Sequence, residues 1–129
     1  MTTGAKQSLS STEAISVFIK GAVAQQKQGR YFSFVNSVKG RAKFLKELDH
    51  SLEKVIVKSK IKLALTESEW NESGYLFLGD GTFGKNIGSI KDTYDNASSE
   101  GGWLIISTIG AFGILRPEGR MDDELYIRL

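Results

Sequence analysis

The sequence predicts an α+β fold: two N-terminal helices packed on a mainly antiparallel sheet of about five strands. Three observations carry this reading. Apolar residues recur at helical spacing between residues 10 and 52, then switch to alternation between 54 and 65. The last third holds three apolar segments, "WLIIS", "AFGILR" and "ELYIRL", separated by the turn-rich "TIG" and "PEGRMDD", the pattern of an antiparallel meander.

Each element has a local cause. Residues 1–9 are polar and are expected to form a flexible N-terminus, leaving 10–129 as a single domain. Ser10 and Glu13 have the spacing of a capping box, and Ile15, Phe18, Ile19, Ala22 and Val23 follow as an apolar stripe, with Gly29 as a natural stop. Tyr31, Phe34, Val35, Val38, Ala42, Leu45, Leu48 and Leu52 make a second helical pattern, interrupted by Gly40; it predicts one kinked helix or two short ones. In "KVIVKSKIKLAL", Val55, Val57, Ile61, Leu63 and Leu65 face one way and Lys54, Lys58, Lys60 and Lys62 the other, a half-buried strand or two strand pieces. Thr66 and Glu69 repeat the capping-box spacing over a single turn, "GYLFLGDG" reads as a strand entering a turn, and "SIKDTYDNASSEGG" as a short helix with Ile87, Ile90, Tyr94 and Ala97 inward.

Composition narrows the chemistry. A chain of 129 residues, 40% hydrophobic and 25% charged, suits one folded domain. With no cysteine, disulfides, zinc knuckles, iron–sulfur clusters and thiol catalysis are excluded, and a reducing, cytoplasmic setting is the expectation. The N-terminal residues lack the apolar segment of a signal peptide, and the longest apolar run, Trp103 to Ile106, is far short of a membrane span.

The net charge of +2 conceals a division. Residues 20–62 carry eleven basic against three acidic side chains, and residues 66–129 five basic against eleven acidic, so the halves stand at +8 and −6. That polarity predicts an anion-facing surface, or attraction between the halves of two copies.

The stretch Tyr75 to Asn86, "YLFLGDGTFGKN", fits G-x-G-x-x-G and nearly fits a P-loop. Gly79, Gly84 and Lys85 have the P-loop spacing, and with Gly81 they are the candidate phosphate-binding residues. Asn86 stands where the magnesium-binding hydroxyl belongs, and no strand ends in the acidic residue such a site needs. "LGDGTFGK", Leu78 to Lys85, resembles the glycine-rich loop of protein kinases. Outside those eight residues the chain has neither the lysine strand nor the catalytic segment of that family, and "AFG" at Ala111–Gly113 lacks its aspartate, so the resemblance implies no kinase activity. Asp80-Gly81 is a favoured tight turn, so the stretch reads as strand, turn and a flexible entry to a helix, with no cofactor.

Three further constellations carry chemistry. His50, the single histidine, would serve as general base beside a carboxylate. Asp122, Asp123 and Glu124 would hold a divalent cation if other carboxylates converged on them. Lys39, Lys43 and Lys46 recur at i, i+4 and i+7 on one helix face, with Arg41 off the stripe, and Lys58, Lys60 and Lys62 line a strand face. These seven residues are the candidate binding set. They predict a small non-catalytic interaction protein, such as a regulator, adaptor or immunity-type inhibitor, docking a protein partner through a charged face. The alternative is RNA binding or ribonuclease action using the same basic face and His50. Self-association through the oppositely charged halves is a third reading.

Overall fold

A computed structural model describes residues 8–52, 55–58, 65–78, 82–96, 102–117 and 124–129; for 49, 50 and 55–58 it describes the backbone alone. The described residues form helices and a six-stranded antiparallel sheet of order β1-β6-β5-β4-β2-β3. The strands are β1 (Val55–Lys58), β2 (Gly74–Leu78), β3 (Phe83–Ile87), β4 (Trp103–Ser107), β5 (Phe112–Arg116) and β6 (Leu125–Arg128). The helices are α1 (Ser11–Ala22), α2 (Gln28–Phe34), α3 (Val38–Glu47), the single turn α4 (Glu67–Trp70) and α5 (Ile90–Asn96). None of these helices is long and apolar enough to cross a membrane.

Both capping boxes form as their spacing requires. Ser10 Oγ accepts the Glu13 N–H at 3.1 Å, and Glu13 Oε1 accepts the Ser10 N–H at 2.8 Å. Thr66 and Glu69 repeat this at 3.1 and 2.9 Å. Two orphan donors are satisfied at each helix start, which is how so short an element as α4 holds its turn.

The ends of α1 and α2 differ from the sequence expectation. Helix α1 stops at Ala22, because Val23 turns extended and bridges Leu52 while the Ala24 N–H donates to the Ser51 carbonyl at 3.0 Å. Gln28 Nε2 then donates to the Val23 carbonyl at 3.1 Å, and α2 begins there, running through Gly29. The second helical pattern is two helices, and the break falls at Val35–Ser37, not at Gly40. Ser37 caps α3 by accepting the Gly40 N–H at 3.0 Å. Gly40 lies inside α3 because a Cβ there would sit 2.2 Å from the Phe34 carbonyl oxygen: the residue lets α2 and α3 touch.

The sheet is buried on both faces. Tyr75, Phe77, Leu104, Ile106, Leu115, Leu125 and Ile127 pack with Phe18, Ile19, Phe44, Leu45 and Leu48 of the N-terminal helical layer. Trp103, Ile105, Phe112, Ile114 and Tyr126 face the opposite way, under Leu65, Ile90, Trp70 and Tyr94. This is why β4, "WLIIS", is apolar from Trp103 to Ile106 without alternation and buried at every position.

Strand β3 is the departure from the sequence reading. After β2 the chain returns as an antiparallel strand before reaching α5, where a flexible helix entry was expected. Gly84, at φ +93°, sits at the register irregularity of this hairpin, and a Cβ on it would lie 2.8 Å from Ser11 Cβ. The glycine is needed for the backbone and for the approach of α1.

Candidate functional site

Helix α3 is the scaffold of the basic face. Phe44 and Leu45 bury its inner side, with Phe44 edge-on to Tyr31 and to Phe83 at 5.5 and 5.9 Å. The periodicity that buries those residues leaves Lys39, Lys43 and Lys46 exposed along the outer side, together with Val38 and Ala42. Val38 is 67% exposed, the most exposed large apolar side chain among the described residues. The two ion pairs seen among the described residues, Arg30–Glu47 and Arg116–Glu124, involve none of the three lysines.

Arg41 does not belong with them. Its Nε donates to the Val35 carbonyl at 3.1 Å, and its guanidinium lies 4.9 Å from the Phe83 ring centre. It ties the α2–α3 turn to β3. Arg30 is likewise engaged, with Glu47 at 2.7 Å and over the Phe34 ring at 5.2 Å.

Several predicted residues are placed only in part. Lys58 ends β1, opposite Leu125, with its backbone alone described. Lys60, Lys62, Gly79, Gly81, Asp122 and Asp123 lie outside the described residues. His50 lies in the 3-10 turn Leu48–Ser51 that follows α3, again with only its backbone described. Gly84 and Lys85 are in β3, the second strand of a hairpin, where a P-loop would place them at a helix N-terminus. Lys85 stands opposite Leu76, which belongs to the α4–α5 side of the sheet, so its register separates it from the lysines of α3.

Glu124 is committed to structure. It accepts the Tyr94 hydroxyl at 2.6 Å through Oε1 and the Arg116 guanidinium at 2.6 Å through Oε2. Both side chains of the ion pair are largely buried, at 17% and 12% exposure. Among the described residues, no group of three carboxylates or imidazoles converges to hold a metal ion.

The second layer contains a feature that sequence periodicity did not single out. Trp70 of α4 and Tyr94 of α5 lie 5.0 Å apart between ring centres, and Tyr94 meets Trp103 edge-on at 5.9 Å. Arg116 lies over Trp103 at 5.4 Å. Above these rings is an open cavity of about 320 Å³ walled by Trp70, Lys91, Tyr94 and Asp95. Burial and the hydrogen bond to the Glu124 carboxylate both push the Tyr94 phenol well above its ordinary range. A Trp closing a one-turn acidic helix was the available signal, and it is visible only when α4 and α5 are known to be neighbours.

Comparison with protein-family models, with curated proteins and with solved structures found no match to this chain.

Proposed function

We propose that this chain is a small non-catalytic cytoplasmic binding protein, a regulator, adaptor or inhibitor, that docks the acidic surface of a protein partner on the outer face of α3. The supporting observation is the set Lys39, Lys43 and Lys46, exposed on one side of a helix whose other side is locked into the core. The set spans about 10 Å along the axis at helical rise. Val38 and Ala42 lie exposed beside it. An apolar strip flanked by ammonium groups suits a protein surface better than a phosphate backbone, which offers nothing for Val38 to bury against. Complementary charge would steer the encounter, and the apolar strip would hold the complex.

The test is a pair of variants, K39E/K43E/K46E and V38D, used in affinity capture and then with the purified captured protein in titration calorimetry. Loss of binding in both, with the fold intact, supports the reading. Undiminished binding by both removes it. Tight RNA or DNA binding at low salt that the lysine variant abolishes and V38D leaves alone would move the face to nucleic acid. A chain that doubles its mass at low salt through the same lysines would make the partner a second copy.

A further inference from the structure

The cavity between α4 and α5 lies on the opposite side of the sheet from the lysines of α3, and the segments that flank it are net acidic. Helix α4, the turn that follows and α5 carry Glu67, Glu69, Glu72, Asp92 and Asp95 against one ammonium, Lys91. Its walls include two half-buried rings, Trp70 and Tyr94, and the exposed Asp95 carboxylate at the rim. We propose that this cavity receives an arginine side chain presented by a polypeptide partner.

Two features select this occupant. The cavity, about 320 Å³, is open to solvent and lies at the small end of the range that ligand sites occupy, ample for one long side chain. Aromatic faces attract cations, and a planar guanidinium also stacks on a ring while donating two hydrogen bonds to a carboxylate. The fold already uses that arrangement behind the cavity wall, where Tyr94 meets both Trp103 and Glu124. Arg116 lies over Trp103 and is held by Glu124 at 2.6 Å, so a ring, a carboxylate and a guanidinium form one unit. Trp70 and Asp95 offer the same ring and carboxylate at the surface, lacking the guanidinium. At the rim Asp95 and Lys91 balance, and the flanking segments add the exposed carboxylates of Glu67 and Asp92 with no further ammonium, which disfavours an anion. Lys91 is exposed on a flexible stem and swings away when the guanidinium enters, so it acts as a competitor for the rim.

The experiment is an NMR titration of the full chain, following the Trp70 indole N–H, assigned by comparison with W70F. The probes are capped Gly-Arg-Gly and its citrulline, lysine and glutamate counterparts. The arginine peptide is expected to give saturable shifts at Trp70 and at α5, with the citrulline peptide at least about fivefold weaker because it lacks the charge. D95N is expected to weaken arginine binding about threefold or more and K91A to strengthen it. Both substitutions are at exposed positions, so neither depends on the fold tolerating a core change. Equal shifts from arginine and citrulline peptides, no saturation at any soluble concentration, or D95N binding as well as the parent would each overturn the proposal. Preferential binding of the glutamate peptide, lost in K91A, would overturn it in favour of an anion site. None of these outcomes bears on the α3 face, which remains separately testable through its own variants.

Discussion

Tyr126 of β6 donates its hydroxyl to Glu69 Oε2 at 2.9 Å, across fifty-seven positions of sequence. The other oxygen of the same carboxylate accepts the Thr66 N–H at 2.9 Å and completes the cap of α4. One side chain therefore starts a helix and fastens it to the sheet. Glu124 likewise fastens α5 to the sheet, joining Tyr94 to Arg116.

Removing either end of the first link should be measurable. Y126F is expected to cost about 1 kcal/mol, and E69A about 1–3 kcal/mol because it also opens the cap. The double variant should fall short of the sum, since both singles remove the same bond. Urea unfolding of the four proteins measures this.

Glu124 should be the more sensitive of the two carboxylates. E124A leaves the largely buried Arg116 without its partner and is expected to cost about 2–4 kcal/mol, more than Y94F at about 1 kcal/mol. Thermal unfolding that ranks Y94F as the worse variant would contradict the assigned roles.

Alkaline pH should loosen the sheet from its second layer. Burial, and then the hydrogen bond to Glu69, push the Tyr126 phenol from 10.0 up to about 12. The folded protein thus holds this proton more tightly than the unfolded chain. The associated stability is complete below pH 10 and is lost as pH rises from 10 through 12, where the unfolded chain binds fewer protons. Tyr94 is shifted in the same direction. Phenolate absorbance should show both tyrosines ionising late, with stability to urea falling over the same interval.

Two glycines should respond oppositely to alanine. Gly40→Ala drives a methyl to 2.2 Å from the Phe34 carbonyl oxygen and is expected to cost about 3 kcal/mol or more, or to prevent folding. Gly29→Ala, inside α2 with nothing within 4 Å, should stabilise by about 0.4–1 kcal/mol. Comparing their melting temperatures tests whether Gly40 is a contact residue between helices.

The lysine face should be energetically quiet within the fold. K39E/K43E/K46E is expected to change stability by no more than about 1.5 kcal/mol while reducing affinity for an acidic partner at least tenfold, on the order of magnitude of interface charge effects. Calorimetry at two salt concentrations should show the parent's affinity falling with salt and the variant's barely moving.

How far the sequence reached depended on the range of each interaction. The capping boxes at Ser10 and Thr66, the stripe Ile15, Phe18, Ile19 and Ala22, and strands β2, β4, β5 and β6 were legible because each is written in residues a few positions apart. The exposure of Lys39, Lys43 and Lys46 followed from the same periodicity. Strand β3 was not legible. "FGKNI" has two apolar residues and a positive-φ glycine, and it becomes a strand because β2 supplies its hydrogen-bonding partner.

Local pattern alone determined that this chain is α+β, that its helices lead, and that its charge is divided between its halves. Tertiary structure decided where those charges stand. The sheet is covered on both sides, so the lysines of α3 and the acidic segments around Trp70 and Tyr94 lie on opposite layers. It also decided that Arg41 points into the fold and that Glu124 joins Tyr94 to Arg116, because only the folded chain brings a ring, a guanidinium and a carboxylate within hydrogen-bonding reach. Side-chain periodicity is a property of neighbours along the chain; a site is a property of neighbours in space.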